Sequence, residues 1–563
     1  MTLQNTIKQW IATTLSIDDD VTLEYPGDAS HGDFATNIAL IYAKQSGKNP
    51  RELADEFVTK LNAVLEHFDF FESITVAGPG FINFKLRPKV FSAVVEKINT
   101  SGEKFGNHTR LSGQRVVVEY TQPNPFKEFH IGHLMNNIIG ESISRLFEAH
   151  GTEVIRSTYH GDVGLHVAKA IWGLQSMEVG TLVNAQVLGK AYATGAKLFE
   201  TNEDVKKEIV ALNKLIYDRS DPDVNALYDV GREVSLRYFE DLYKRLGSEF
   251  DFHFYESETA PIGKALVEEY LETGVFEKSE GAVIYRGEKF GLHSRVFLTS
   301  ENLSTYEAKE LGCIALKKEK IGEFDMSVTI TANEQNAFFT VVEKAAEEVF
   351  PDLSARLLHL SHGMMKLPTG KMSSRTGDVI TAEAMIETVK DAARMKIKEG
   401  VLSHAQREDI AEKVALAALR FAVLRQSIGG DIIFDVNKAL SLEGDSGPYL
   451  QYASVRASTL IKKADGIIEA SSVLPADWET THIERLLQRY PRIIDRAGRE
   501  YAPHYLVTYL TELAGAFNSF YASHKIIDAS DATSAYRLSI TKAFVDVMTS
   551  GLHMLGIEIP SEM

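Results

Sequence analysis

Two segments far apart in the chain carry side chains suited to binding phosphate groups. The first, 123–133, contains His130 and His133 with Gly132 between them. Imidazole N–H groups donate hydrogen bonds to phosphate oxygens, and a glycine without Cβ lets a nucleotide approach the backbone closely. Taken alone, the histidine pair is also typical of surface or metal-binding imidazoles.

The second segment, 370–378, reads Gly-Lys-Met-Ser-Ser-Arg-Thr-Gly-Asp and follows about 240 residues later. Its cations and hydroxyls suit a triphosphate, although a loop of this composition is often only solvated. A P-loop is disfavoured, because Gly363 lies too far from Gly370 and methionine follows Lys371.

The first segment lies between a predicted strand and a predicted helix. Residues 116–120 form an apolar run typical of a buried strand, and 134–150 have an apolar helical face that ends at Gly151. Another strand begins near Val154. In an open α/β sheet, ligands bind beyond the carboxyl ends of the strands, where a helix amino terminus favours an anion.

The hydrophobic pattern changes twice along the chain and predicts three domains. Residues 1–111 mix helical and strand-like stretches, which is typical of an α+β module. Residues 112–400 alternate strands and helices, as in a Rossmann-like parallel sheet with insertions. Residues 401–563 follow helical periodicity, which predicts an all-helical domain. The expected fold class is therefore multidomain α/β.

Composition excludes several classes of protein. The 563 residues include one cysteine, Cys313, which excludes an intramolecular disulfide framework and a cysteine-based zinc site. Neither a secretion signal nor an apolar run of roughly 20 residues is visible, so we expect a cytoplasmic protein without membrane contact. The net charge of -18 argues against a polyanionic partner, yet basic stretches such as 317–320 and 489–499 leave local phosphate contacts open.

The two phosphate-binding segments resemble the nucleotide signatures of class I aminoacyl-tRNA synthetases. The surrounding residues are similar to arginyl-tRNA synthetases nearly end to end. The matching segments are 31–37, 161–164, 304–306, 418–421, 434–435, 443–452 and 555–557. Segments 123–133 and 447–452 are the ones that point to the arginine branch.

The resemblance implies a two-step reaction. The carboxylate of L-arginine attacks the α-phosphate of ATP, which releases pyrophosphate, and the 3′-terminal ribose of tRNA(Arg) then captures the adenylate. The implied partners are tRNA(Arg), L-arginine and ATP, with Mg²⁺ as part of the ATP substrate complex and no tightly bound protein metal. The implied carboxyl-terminal domain binds the anticodon, the first module contacts the tRNA elbow, and we expect a monomer.

The resemblance also implies roles for individual residues. The expected catalytic residues are His130, His133, Lys371 and Lys127. The expected ATP contacts are Gly132, His130, His133, Lys371, Met372, Ser373 and Ser374. The expected arginine contacts are Glu119, Asn124, His133, Tyr306, Glu310 and Gln335. The expected tRNA contacts are Phe34, Asn37, Tyr449 and Tyr452. Structural roles in a strand end, a core or a solvated helix stay open for several of these residues.

The chain departs from the family pattern at several positions. Ser374 stands where many class members have a second lysine, and Lys127, just before the first histidine, would replace the missing charge. Glu310 stands where aspartate is more common, so its carboxyl reaches one methylene further. Val163 and His166 replace a usual tryptophan and glutamine, which predicts a different pocket floor.

Three alternatives remain open at this point. A cysteinyl- or glutamyl-tRNA synthetase would share the nucleotide signatures, but the cysteinyl enzyme needs paired cysteines for zinc. A non-catalytic RNA-binding relative would retain the fold, although the intact histidines and Lys371 argue against it. A nucleotidyltransferase with a similar histidine motif would leave the long helical region unexplained.

Overall fold

A computed structural model of the chain describes residues 3–18, 20–65, 68–177, 182–366, 368, 380–397 and 402–563. The chain divides into two compact units, each built from separate segments. The first unit takes Met1–Asn107, Tyr452–Arg496 and Thr508–Gly551, and the second takes His108–Gln451, Ala497–Val507 and Leu552–Met563. The three predicted domains are continuous segments with boundaries after residues 111 and 400, and these boundaries remain predictions.

The amino-terminal part of the first unit is an α+β module. Its elements are α1 (Leu3–Leu15), β1 (Phe34–Thr36), α2 (Ile38–Ser46), α3 (Pro50–Ala63), β2 (Phe71–Ala77), β3 (Phe81–Leu86) and α4 (Pro88–Ser101). Strand β3 pairs antiparallel with β1 on one side and β2 on the other. The core contains the buried rings of Trp10, Phe34, Phe71 and Phe84.

Asp33, just before β1, joins this module to helix α18 (His482–Arg499) within the first unit. One carboxylate oxygen accepts a hydrogen bond from the backbone N–H of Leu86 at 2.8 Å. The other accepts from the Nε atom of Arg485 at 2.8 Å. Because the Asp33 side chain is only 6% exposed, its charge depends on these two partners.

Replacing Asp33 by asparagine is expected to lower the free energy of unfolding by about 2 kcal/mol, because Arg485 then loses its charged partner in a largely buried place. Urea unfolding followed by tryptophan fluorescence measures this, since Trp10 and Trp478 lie in the first unit. Glu56→Gln is the matched control, because Glu56 and Lys48 are each half exposed and such pairs contribute little. An equal effect of both substitutions would contradict the structural role of Asp33.

The second unit contains the following elements: β4 (Arg115–Glu119), α5 (Ile131–Ala149), β5 (Glu153–His160), α6 (Leu165–Gln175), α7 (Ala185–Thr201), α8 (Glu203–Asp218), α9 (Pro222–Arg245), β6 (Phe252–Tyr255), α10 (Glu256–Glu272), β7 (Glu277–Ser279), β8 (Ala282–Tyr285), β9 (Arg295–Leu298), α11 (Tyr306–Ile321), β10 (Met326–Ala332), α12 (Asn336–Val349), α13 (Pro351–Ser354), β11 (Leu357–His362), β12 (Met365–Lys366), α14 (Ala382–Arg394), α15 (His404–Leu424), β13 (Ile432–Ile433) and α16 (Val436–Ala439). The chain continues through α17 (Gly447–Ala464), α18, α19 (His504–Ser523) and α20 (Ser534–Met554).

Among the described residues of the second unit, five strands form a parallel sheet in the order β11-β10-β4-β5-β6. Residues Val116–Val118 of β4 are fully buried, as expected for a central strand covered on both faces. The strand order reverses between β4 and β10. The crevice beyond the carboxyl ends of these two strands is where such sheets bind ligands, so the fold confirms the predicted Rossmann-like core.

The carboxyl-terminal region is helical, as predicted, apart from the two-residue strand β13, which pairs with β12. Throughout the described chain, every helix lacks the combination of length and hydrophobicity needed to cross a lipid bilayer.

Candidate active site

The loop between β4 and α5 is held in an unusual backbone conformation. Thr121, Gln122 and Phe126 have positive φ angles of 76°, 51° and 67°, which are costly for residues other than glycine. Their backbone N–H groups donate hydrogen bonds to side chains of other elements, namely Asn136, Thr158 and Ser235. The fold thereby fixes the backbone that leads into the histidine segment, through contacts that no sequence motif indicated.

His130 and His133 cap the amino terminus of α5. The Nδ1 atom of His130 accepts hydrogen bonds from the backbone N–H groups of Gly132 and His133, at 3.1 and 3.4 Å. The Nδ1 atom of His133 accepts from the backbone N–H of His130 at 3.2 Å, and the two rings stack with centroids 3.6 Å apart. A neutral imidazole that accepts at Nδ1 carries its proton at Nε2. Both histidines therefore have an Nε2–H group to donate.

Both imidazoles are neutral at pH 7. Burial lowers the pKa of His130 to about 4, and the Lys127 ammonium adds to this effect. Burial, together with His130 and Lys127, holds the pKa of His133 well below its ordinary value. A neutral donor binds a phosphate oxygen without cancelling its charge. In this segment, positive potential comes instead from Lys127 and the amino terminus of α5.

Lys127 lies against an aromatic ring of α7, one of the helices between β5 and β6. Its Nζ atom lies 4.7 Å from the ring centroid of Tyr192 on α7, a distance at which an ammonium is attracted to the ring face. The same ammonium lowers the pKa of His130, His133 and His166. Lys127 therefore lies among the histidines, as the charge-replacement hypothesis requires, whereas the contribution of Tyr192 was not predicted.

The chain that follows the second signature meets the first signature directly. The backbone N–H of Ile131 donates to the carbonyl of Ile380 at 3.3 Å, and the N–H of Ala382 donates to the carbonyl of Phe129 at 2.8 Å. His130 and Thr381 form an antiparallel bridge. Two segments about 250 residues apart are thus neighbours. The predicted site residues Lys371, Met372, Ser373 and Ser374 lie outside the described residues.

Glu119 ends β4 as a fully buried carboxylate. Its Oε2 atom lies 2.8 Å from the Nζ atom of Lys317, and its Oε1 atom accepts a hydrogen bond from Gln122 at 2.7 Å. Glu310 is buried nearby on the same helix as Lys317. Burial and then the charge of Glu119 raise the pKa of Glu310 to about 8. The sequence analysis assigned Lys317 no role at this site and considered 317–320 only as a basic stretch open to phosphate contacts.

Asn124 faces a second buried ion pair. A Cβ at Gly161 would lie 2.5 Å from the Oδ1 atom of Asn124 and 3.3 Å from the Oε1 atom of Glu256, so a larger residue there would displace the Asn124 side chain. The adjacent Glu256 carboxylate binds the Nζ atom of Lys309 at 2.7 Å. Lys309 also lies 5.2 Å from the ring centroid of Tyr306, whose side chain is otherwise exposed. The structure therefore brings Asn124 and Tyr306 near the same Glu256–Lys309 pair.

Asp162, in the predicted motif after β5, is a structural anchor. Its fully buried carboxylate accepts hydrogen bonds from the Nε atom of Arg232 at 2.9 Å and from the backbone N–H and Oγ–H of Ser257 at 2.8 and 2.7 Å. It thereby ties α9 and α10 to the end of β5. Gln335, in contrast, lies exposed at the end of the short 3₁₀ helix Asn333–Gln335.

Three family models match the chain. The model described as tRNA synthetases class I (R), catalytic domain, matches residues 94–436, which is more than half of the sequence. The chain belongs to the class I arginyl-tRNA synthetase family. The Arginyl tRNA synthetase N terminal domain matches residues 1–86, and the DALR anticodon binding domain matches residues 450–563.

Similar proteins carry the same family name. The arginine–tRNA ligase of Treponema denticola is 28% identical over 96% of this chain and 94% of its own length. That of Lactobacillus delbrueckii subsp. bulgaricus is 29% identical over 100% of this chain and 98% of its own. The solved arginyl-tRNA synthetase of Thermus thermophilus superposes on this chain over 100% of both chains, with a TM-score of 0.78 and 23% identity. This similarity supports the shared fold.

Val163 and His166, two positions where this arginyl-tRNA synthetase family member departs from the family pattern, are both held by contacts inside the protein. Val163 is buried in an apolar cluster with Phe126 and Val167. The Nε2–H of His166 donates to the carbonyl of Gly161 at 2.7 Å, and burial lowers the pKa of His166 to about 3. His166 is thus neutral and holds the turn after β5, so both residues support the pocket wall.

The residues predicted to contact tRNA in this synthetase family member lie in different environments. Phe34 is fully buried in the core of the first module, so its predicted contact with RNA does not agree with the structure, because a ring without exposed surface cannot stack on a base. Asn37, Tyr449 and Tyr452 are half-buried. Direct contact with RNA remains a prediction for these three.

Tyr452 belongs to a polar and aromatic cluster on the carboxyl-terminal helices. Its hydroxyl accepts a hydrogen bond from Arg456 at 2.8 Å, and the Arg456 guanidinium lies 4.6 and 5.2 Å from the ring centroids of Tyr452 and Tyr521. Arg456 also donates to the Oδ1 atom of Asn518 at 3.0 Å. Aromatic rings with an interleaved guanidinium are typical of surfaces that bind single-stranded bases.

Proposed function

We propose that the chain is an arginine–tRNA ligase, which activates L-arginine with ATP to arginyl-adenylate and transfers the arginyl group to the 3′-terminal ribose of tRNA(Arg), with release of pyrophosphate and AMP. One observation supports this most strongly: the residues that follow the second signature are hydrogen-bonded to the histidine segment. This contact supports the proposal that the two nucleotide signatures of the family act together. The whole-chain similarity to arginine–tRNA ligases supplies the amino acid.

Activation needs no protein nucleophile, because the arginine carboxylate itself attacks the α-phosphate. The rate must then depend on in-line positioning and on stabilising the charge that develops on the phosphoryl oxygens. The Nε2–H groups of His130 and His133 supply two fixed donors, and α5 supplies its positive end. Lys127 adds a full charge. Lys371, with Gly132, Met372, Ser373 and Ser374, completes the proposed ATP contacts.

Magnesium is proposed as a partner of the ATP triphosphate, where it neutralises charge and orients the leaving pyrophosphate. Oxygen ligands suit Mg²⁺, and triphosphate oxygens provide them. The protein's own residues contribute hydrogen bonds and charge contacts to the proposed reaction.

Arginine binding is assigned to the buried carboxyl groups beside the crevice. Glu119 and Glu310 provide carboxyl groups for the planar guanidinium, which pairs best with acceptors in a fork geometry. Asn124, His133, Tyr306 and Gln335 are proposed to contact the rest of the amino acid. A lysine side chain offers a single point of positive charge and would leave acceptors unpaired, so it should be rejected.

The tRNA contacts are proposed to involve both ends of the chain. Residues 401–563, with Tyr449 and Tyr452, are assigned to the anticodon, and residues 1–111, with Asn37, to the tRNA elbow. Residues 112–400 form the proposed catalytic domain. We also propose that the enzyme acts as a monomer in the cytoplasm.

Charging of total tRNA with each radiolabelled amino acid tests the proposed function. We expect arginine alone to be incorporated, with lysine and citrulline rejected by at least a hundredfold, as expected when buried carboxylates lose their hydrogen-bond partners. Pyrophosphate exchange with and without tRNA then shows whether activation requires tRNA. Charging of another amino acid, or binding of tRNA without any charging, would favour a different synthetase or a non-catalytic relative.

A further inference from the structure

Two buried carboxyl groups beside the crevice share a single ammonium group. Glu119 is fully buried and its Oε2 atom lies 2.8 Å from the Nζ atom of Lys317. Glu310 lies one to two turns before Lys317 on α11 and is also buried. Among the described residues, no hydrogen bond or ion pair is formed by the Glu310 carboxyl. We call Glu119, Glu310 and Lys317 the acid pair site.

Within the described part of the chain, Lys317 is the one cation that acts on the Glu310 carboxyl. On its own helix lie Lys317 and the thiol of Cys313, on β4 lies Glu119, on β5 lies Tyr159, and on α10 lies Glu256. Glu256 is already bound by Lys309. Glu343 on α12 and His359 on β11 line a cavity of about 20 Å³ beside Glu310, and burial lowers the pKa of His359 to about 4, so His359 is neutral at pH 7.

The charges near this site balance before arginine binds. Lys317 offsets Glu119, and Lys309 offsets Glu256. A second negative charge at Glu310 would be buried beside Glu119 without a counterion, which is strongly unfavourable. Glu310 therefore holds a proton in the free protein at pH 7, in agreement with its pKa of about 8.

We propose that the acid pair site binds the guanidinium of arginine with release of one proton from Glu310 to solvent. The incoming cation supplies the counterion that Glu310 lacks, so the carboxyl ionises and becomes the second acceptor beside Glu119. Lys317 is a positioning residue in this scheme, because its ammonium pairs with Glu119 and forms no ion pair with Glu310. The inference rests on the proposed function, since it assumes that arginine enters this pocket.

The proton release makes arginine binding depend on pH in a defined direction. Below pH 8 the free protein must lose a proton to bind arginine, so affinity falls about tenfold for each pH unit. Above pH 8 the carboxyl is already ionised and affinity becomes constant. The guanidinium of arginine keeps its charge across this range, and comparison with Glu310→Gln separates the Glu310 slope from titration of the arginine α-amino group.

The test combines two measurements on the full-length protein. Calorimetric titration with L-arginine at pH 7, in buffers of different ionisation enthalpy, counts released protons, and we expect about one per arginine. The KM for arginine in tRNA charging, measured from pH 6 to 9, should fall about tenfold per unit up to pH 8 and then level off. Thermal unfolding without ligand is recorded in parallel.

Glu310→Gln is the decisive variant, because glutamine has the shape of the protonated acid and should leave unfolding at pH 7 unchanged. We expect arginine binding at least tenfold weaker at pH 8, no proton release, and a flat pH profile. Glu310→Asp keeps a carboxyl and should retain the pH slope. Glu343→Gln, which removes an acid from the same cavity wall, is the matched control and should behave as the unsubstituted protein.

Each other outcome overturns the inference in a recognisable way. Weakened binding in Glu310→Gln without proton release in the unsubstituted protein would mean that Glu310 binds arginine as a permanently ionised group. Unchanged arginine binding in Glu310→Gln would place the guanidinium elsewhere. In both cases arginine charging by the unsubstituted protein would leave the proposed function intact, whereas absence of charging would refute that function separately.

Discussion

Replacing His130 by asparagine is expected to slow adenylate formation by on the order of 10²- to 10³-fold, because one fixed donor to the reacting phosphate is lost. Asparagine is a good amino-terminal cap for a helix, so its side chain can still accept the backbone hydrogen bonds that Nδ1 of His130 now accepts. The substitution therefore separates catalysis from helix capping. Single-turnover formation of arginyl-adenylate in the presence of tRNA measures the effect.

The thermal unfolding midpoint is the control for this substitution. We expect the midpoint of His130→Asn to change by no more than a few degrees. His130→Ala should lose both the donor and the cap, which lowers the free energy of unfolding by about 1 kcal/mol. An adenylate rate for His130→Asn within threefold of the unsubstituted protein would remove His130 from the catalytic assignment. If the adenylate rate stays within threefold but the variant is much less stable, His130 has only a structural role.

Replacing Lys127 by alanine is expected to slow adenylate formation by on the order of 10²-fold, since it removes a full charge beside the phosphate site. Lys127→Arg should retain much of the rate. Lys169 provides a matched control, because its ammonium also packs on an aromatic ring, 4.2 Å from the centroid of Phe199. Lys169→Ala should change the adenylate rate by less than a few fold.

A second measurement distinguishes electrostatic from structural loss at Lys127. After burial, the charge of Lys127 is the next cause of the lowered pKa of His130. Without it the pKa rises from about 4 towards the ordinary value, so the acid limb of the pH–rate profile moves to higher pH. A slower enzyme whose acid limb stays in place would mean that Lys127 acts on folding or substrate entry, and not on the histidines.

Local periodicity in the sequence was sufficient to predict the sheet core and the position of the histidine segment. The apolar run of β4, the amphipathic α5 and the turn at Gly151 are each determined by residues within one or two turns of each other. The same is true of the helical carboxyl-terminal region. The resemblance to arginyl-tRNA synthetases then indicated which segments act together, and the family comparison confirms the family.

The partners of the site residues were not predictable in this way. Lys317 pairs with Glu119 from almost 200 residues away, and Tyr192 reaches Lys127 from α7. Asp33 pairs with Arg485 across most of the chain. Such pairs carry no periodic signal, because a lysine or arginine on a helix has the same local pattern whether it is solvated or buried against an acid.

The sequence by itself determined the elements, the class of core and the chemical types of residue placed at the end of β4. Only the tertiary structure decided which of those groups are charged. Burial makes His130 and His133 neutral donors, and burial beside Glu119 leaves Glu310 protonated. The reason is physical: ionisation depends on the solvent and charges removed or brought near by packing, and these come from residues distant in the chain.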